Sequence, residues 1–466
     1  MPSTRIDTDN LGSRQLPAEA LYGLATVRAR ENFDISLRRL GDVPELLTAL
    51  ARIKRAAAAA NRDIGVLPPR IADAIIAAAV EVEQGQHADQ FIVDLLEGSG
   101  GTSINMNVNE VIANRALQLS GYQPGSYDHI HPNDHVNAGQ STNDVLPAAL
   151  KLAVYEKSQA LLDAVLRLAT ALAERAEAFD DVLRVGRTCM QAAQPMRLGQ
   201  AFGGYAAAIR RLAGKLTSAR HEMLILPLGG TAIGTGLGSA PGYRSAVYRH
   251  LREVVRADVR PAENMFDAMQ NADGFARVSS EIRICAEVIG KIASDLIILS
   301  SDPTSGLGEL RLPSVQPGSS IMPGKVNPVL PMMMQQVAFA VIGNDATVSL
   351  ASLQGQLEIN HFEPVIASRL FDSIELLSKS TEIFASKCVS GIAADREHSL
   401  ENLVRSPGIA TVFVPKLGYA GVAKLVQASD AENRPFVDRA VQHGLLTQRE
   451  IIDVLRESTD YREDVV

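Results

Sequence analysis

The sequence predicts a mainly α-helical protein built on long, roughly antiparallel helices. Three observations predict it. Leu161, Val165, Leu168 and Leu172 recur at spacings of 4, 3 and 4, and Ile282, Cys285, Ile289, Ile292, Leu296 and Leu299 at 3, 4, 3, 4 and 3. Both sets form a stripe along one helix face, and the second has the rhythm of a heptad seam. Ala56 to Ala60 is an unbroken run of the residue with the highest helix propensity. Few segments show the strict alternation of half-buried strands.

Glycine and proline mark the breaks between these helices. Gly98-Ser99-Gly100-Gly101, Leu228 to Gly238, and the long stretch from Asp302 to Pro328 are the clearest. A break as long as the last, between strongly helical segments, is usually functional. The pattern divides the chain into three parts: a mostly helical N-terminal domain over 1–140, a central long-helix bundle over 141–395, and a small helical C-terminal domain over 396–466. A chain of 466 residues is long enough to bury cores of this kind.

Composition excludes several function classes. Hydrophobic residues make up 46% and charged residues 21%, ordinary values for a globular protein. The net charge of −8 and the lack of any Lys/Arg-rich run argue against nucleic acid as a partner. The apolar stripe from Ile282 to Leu299 carries Arg283, Glu287, Lys291 and Asp295, so it reads as a buried packing helix and not as a membrane span. Cys189, Cys285 and Cys388 are odd in number and widely spaced, and the N-terminus has no apolar signal core. A cytoplasmic protein without disulfides is expected.

Five segments concentrate small polar donors. They are Gly101 to Asn107, Gln140 to Asp144, Gly186 to Gln191, Gly229 to Ala232, and Ser319 to Asn327. All five read as loops. Hydroxyls, amides, one lysine and freed backbone N–H groups are what a carboxylate pocket needs. None has the spacing of a phosphate-binding P-loop. Singly, each also reads as a cap or turn. His129, His131 and His135 could suggest a metal site by spacing, but no matching Cys/His set stands elsewhere. Surface-loop histidines are the plainer reading, and neither a metal nor an organic cofactor is expected.

Together the five segments resemble the aspartase/fumarase superfamily. The fifth carries the pattern G-S-S-x-x-P-x-K-x-N as Gly318-Ser319-Ser320-Ile321-Met322-Pro323-Gly324-Lys325-Val326-Asn327, and the resemblance runs from about Arg5 to beyond Leu446. It implies a three-domain fold whose central bundle forms a homotetrameric core, with active sites shared between subunits. It also implies a small C4 dicarboxylate as substrate. Ser319 would be the general base, its ionised form stabilised by N–H dipoles and Lys325. Thr102, Ser141 and Thr142 would hold the carboxylate that takes up charge as the neighbouring proton leaves. Lys325, Asn327 and Thr188 would bind the other carboxylate, and Asn143 would lie near the leaving group. The His131-Pro132-Asn133-Asp134 stretch resembles a secondary dicarboxylate site of fumarases.

The resemblance is closest to aspartate ammonia-lyases. Gly101-Thr102-Ser103-Ile104-Asn105 lacks the Gln that fumarases generally place between Thr and Ser. Asn32-Phe33-Asp34 and Gly355-Gln356-Leu357 to Val365 also look aspartase-like, whereas Leu228 to Ala232 and Met322-Pro323-Gly324-Lys325 are closer to fumarase forms. Two departures stand on the leaving-group side. Cys189 occupies the position of a His or Gln, and Met332 that of a Glu. Water is a poor leaving group and needs the proton such a pair handles; ammonium leaves already protonated. The expected reaction is therefore elimination of ammonia or an amine to give fumarate. A class II-like fumarate hydratase, or a lyase for an N-substituted aspartate or other succinate derivative, is the alternative.

Overall fold

The computed structural model describes residues 3–36, 38–318, 321–432 and 434–460. Helix dominates them. The longest helices are Thr142–Ala178, Leu198–Glu222, Asp273–Leu299, Val329–Leu353 and Glu363–Lys387. Strands occur only as four two-stranded pairs among the described residues. The mainly α expectation is borne out, and both apolar stripes fall where predicted. Leu161 to Leu172 are buried on the helix Thr142–Ala178, and Ile282 to Leu299 on the helix Asp273–Leu299.

The chain forms two compact units. The first comprises Met1–Leu162, Gly214–Ile284 and Ala340–Leu376. Its centre is the helix Pro44–Asp63, which carries the alanine run and starts with proline, whose fixed φ suits a first helical position. Small side chains let the helices Pro69–Glu83 and Tyr243–Val255 approach closely, so Ala56 to Ala60 are buried nearly all round. The helix Thr102–Leu119 packs against Pro69–Glu83 and against Leu24–Asn32. Buried Glu110 caps the latter. Its carboxylate accepts N–H bonds from Gly23 at 2.8 Å, Ala25 at 2.9 Å and Thr26 at 3.1 Å. Gly23 cannot be replaced cheaply, because a Cβ there would lie 2.7 Å from the Glu110 carboxyl.

The second unit comprises Asp163–Ala213, Cys285–Phe339 and Leu377–Val466. A core of Leu183, Val185, Leu403, Ile409, Phe413 and Phe436 joins the hairpin Leu183–Thr188/Gln191–Arg197 to the helices that follow Arg396. The helix Val329–Leu353, whose residues up to Phe339 belong to this unit and the rest to the first, is unusual in being apolar on opposite sides. Met334, Val341 and Val348 are buried, yet Phe339, Leu350 and Leu353 are 68%, 63% and 75% exposed.

Glu81 ties two helices of the first unit together. Arg115 donates to both its oxygens, at 2.6 and 2.9 Å, and His87 lies 2.9 Å away. The Arg115 guanidinium holds the Glu81 carboxyl down from 4.5 to about 2. A lowered acid contributes stability above its unfolded value and loses it as the pH falls through the folded one. Glu81→Gln is expected to lower the melting temperature at neutral pH. The gap to wild type should close between pH 4.5 and about pH 2 in a series of thermal melts.

Candidate active site

Thr102, Ser141, Thr142 and Asn143 lie in the first unit, at the starts of two long helices. Two of the five segments expected as loops, Gly101 to Asn107 and Gln140 to Asp144, are thus largely helix N-termini. Gly101 caps the helix Thr102–Leu119 with φ +93°, a conformation glycine adopts without strain. It also has no room for a side chain: a Cβ would sit 2.0 Å from Leu146. Glu97 folds the preceding turn by accepting from the N–H of Ser99 at 2.5 Å and from Gly101. Thr102 is left exposed at the first position.

The second helix, Thr142–Ala178, begins with a reciprocal cap. Ser141 Oγ accepts from the N–H of Asn143 at 3.2 Å, and Asp144 Oδ1 accepts from the N–H of Ser141 at 2.9 Å. With its lone pair so engaged, the Ser141 hydroxyl keeps its proton for an outside acceptor. Asn105, in the first turn of the first helix, donates to Thr142 Oγ1 at 3.1 Å. That bond brings two helix N-termini together, each with partly positive freed N–H groups. Asn143 donates to the Ala232 carbonyl at 2.8 Å, which fixes its amide against the Gly229 to Ala232 turn.

Two buried ionisable groups lie behind these termini, and sequence reasoning gave neither a role. Asp144 and Lys54 are both fully buried. Burial pushes the Asp144 carboxyl up to about 6 and the Lys54 amine down to about 7, each partly offset by the other's charge. Lys54 donates to Asn137 Oδ1 at 2.8 Å and Gln140 Oε1 at 3.1 Å. The sequence holds no clear signal for Lys54, which stands between Arg52 and Arg55 just before the alanine run; only the fold shows that it alone of the three is buried.

Thr188, Cys189, Lys325, Asn327 and Met332 lie in the second unit. The third segment is a β-hairpin and not a loop. Its two-residue turn is Cys189-Met190, with φ +51° and +63°. Both values are left-handed, which two-residue hairpins require and side chains other than Gly, Asn or Asp rarely adopt. Cys189, Met190 and Thr188 are exposed there. The hairpin is anchored by fully buried Glu309, 2.7 Å from Arg184 and 2.7 Å from Arg187. Lys325 and Asn327 are exposed on an irregular segment with a turn closed by Lys325 N–H on the Met322 carbonyl at 3.2 Å. Gly324 in that turn has φ +84°. Met332 is 45% exposed in the first turn of the helix Val329–Leu353. Ser319 lies outside the described residues.

The three histidines of the 129–135 segment have local work. His131 Nδ1 accepts from the N–H groups of Asn133 and Asp134 at 3.2 Å, and His135 Nδ1 accepts from the N–H of His131 at 2.8 Å. His129 stacks on Tyr122 with ring centroids 3.9 Å apart. No group of three or more metal-ligating side chains occurs among the described residues.

Glu309→Ala would leave two guanidinium groups without their buried counter-charge. A loss of about 3–5 kcal/mol is expected in denaturant unfolding, as for other broken buried pairs.

A family model described as a lyase matches residues 12–343. The chain is 42% identical to an aspartate ammonia-lyase of Helicobacter pylori over 452 residues, 97% of each chain. It superposes on a fumarate lyase:delta crystallin from Brucella melitensis with a TM-score of 0.96 at 41% identity, covering 98% of this chain and 100% of that one. A class II fumarase from Schistosoma mansoni gives a TM-score of 0.90 at 34% identity, covering 97% and 98%. The residue pattern, the long-helix fold and these full-length similarities place the chain in one family: it belongs to the aspartase/fumarase superfamily of lyases.

Proposed function

We propose that the chain is an aspartate ammonia-lyase-like carbon–nitrogen lyase. It removes a Cβ proton from a C4 dicarboxylate and eliminates ammonia or an amine to give fumarate. One observation carries the reading: the motif from Gly318 to Asn327 is intact in a chain that matches aspartate ammonia-lyases over nearly its full length.

The chemistry follows from where charge develops. A proton beside a carboxylate is only weakly acidic. Its removal is feasible when that carboxylate takes a second negative charge and preorganised donors meet it. Thr102, Ser141 and Thr142 suit this role, since their hydroxyls stand at two joined helix N-termini. Lys325, Asn327 and Thr188 bind the second carboxylate, and Gly324 gives their segment freedom to close. Ser319 is the base, and Asn143 lies by the leaving amine. The exposed Cys189 and Met332 make the leaving-group side apolar and weakly acidic, which favours an amine over water. The same apolar character supports an N-substituted aspartate as a second substrate reading.

The active form in this reading is a homotetramer whose active sites draw residues from several subunits, with a three-part division over 1–140, 141–395 and 396–466. Exposed Phe339, Leu350 and Leu353 support it, since a helix apolar on opposite sides needs partners on both. Among the described residues no helix is long and apolar enough to cross a membrane. Cys285 and Cys388, both buried, suit a reducing cytoplasm.

Fumarate release, followed by ultraviolet absorbance, tests the reaction. L-Aspartate or an N-substituted aspartate should turn over faster than malate; the reverse order would sink the assignment. Ser319→Ala should abolish fumarate formation while helical content stays unchanged. For the assembly, sedimentation should give four chains, and Phe339→Glu with Leu350→Glu should yield smaller species without activity.

A further inference from the structure

Asp144 does more than cap its helix. Capping needs one carboxylate oxygen, and Oδ1 supplies it to the Ser141 N–H. The other oxygen, Oδ2, accepts two N–H groups from a remote segment, Gly229 at 2.9 Å and Thr231 at 3.0 Å. Thr231 has φ +56°, a strained conformation for a β-branched residue, and is almost fully buried. Such strain persists only where surroundings enforce it. The Asp144 bond is one enforcing contact. The next residue, Ala232, supplies the carbonyl that holds the Asn143 amide.

Lys54 braces the same region from the opposite side. Its amine grips Asn137 and Gln140, which precede Ser141. Asn137 in turn donates to the Gln140 carbonyl at 3.2 Å, and Asn61, two helical turns beyond Lys54, donates to the Ala138 carbonyl at 2.9 Å. The positive charge also balances a buried anion beside a pocket meant for anions. Without it, Asp144 would repel the carboxylate that Ser141 and Thr142 hold.

We infer that Asp144, balanced by Lys54, is the positioning residue that sets Ser141 and Asn143 in the geometry the elimination needs. The inference rests on the assignment of Ser141 and Asn143 to substrate. Asp144 touches neither substrate nor reacting atoms; it acts through the backbone it holds.

Full-length Asp144→Asn, Lys54→Met, the double variant and Ser141→Ala test it. Asparagine keeps the size of Asp144 but turns one acceptor into a donor. kcat/KM for L-aspartate should fall roughly 100-fold in Asp144→Asn, the scale of a small misplacement of catalytic groups. Inhibition by succinate, which binds without reacting, should weaken about 10-fold in parallel. Lys54→Met should move both readouts the same way, and the double variant should be no worse than the worse single one. A merely structural role would lower melting temperature and yield of assembled protein without changing succinate affinity per assembled enzyme. Asp144→Asn that assembles normally and keeps succinate affinity and kcat/KM within about 3-fold would overturn the inference. If Asp144→Asn does not fold, hydrogen exchange of Lys54→Met decides. Exchange at 141–143 and 229–231 should quicken together, and unchanged exchange at both overturns the inference. Ser141→Ala separates the two readings: unchanged succinate inhibition there refutes the substrate assignment itself, whatever Asp144→Asn does.

Discussion

Buried carboxylates saturated by backbone N–H groups recur at the chain reversals of the first unit. Glu97 folds the turn before Thr102, Glu110 caps the helix that begins at Leu24, and Asp144 joins Ser141 to Gly229 and Thr231. Each places a charge where water cannot reach it, which is costly unless every lone pair is matched. The donors are the N–H groups that helix starts and turns leave unpaired in any case. One interaction therefore satisfies the acid and fixes the backbone at the same time. The two helix starts that carry Thr102 and Thr142 owe their definition to it.

That definition matters because the proposed chemistry asks little of any single side chain. A serine is a poor base and a threonine a weak donor. Their effect comes from being held before the reaction begins, so that no reorganisation is needed as charge moves onto the carboxylate. The second unit uses a different device for the same end. A buried glutamate between two arginines anchors a short hairpin, whose first strand ends at Thr188 and whose left-handed turn is Cys189-Met190.

The proposed leaving-group side is where chemistry would diverge on a constant frame. In the proposed reading, Cys189 and Met332 alter what can be protonated there while the residue types proposed to bind carboxylates are kept. The helix that carries Met332 is also the one with apolar residues on opposite sides. In the proposed reading that one helix bears on both substrate choice and assembly.

Much of this was legible in the sequence. The apolar spacings of Leu161 to Leu172 and Ile282 to Leu299 determined long helices, because a stripe every three or four residues has only one regular structure that buries it. The motif from Gly318 to Asn327 pointed to the reaction class through its resemblance to the aspartase/fumarase superfamily, whose elimination makes physical sense of its residue types. The first two polar segments looked like loops because Ser, Thr and Asn favour turns and helix caps alike, and only the geometry separates the two. The hairpin at residues 186–191 was not legible in the sequence, because a Cys-Met turn lacks the Asn-Gly or Asp-Gly signature. Tertiary structure alone decided the partnership of Asp144 with Gly229 and Thr231, 85 and 87 residues away. No local rule links positions so far apart; they meet because a buried charge must find its donors wherever the fold brings them.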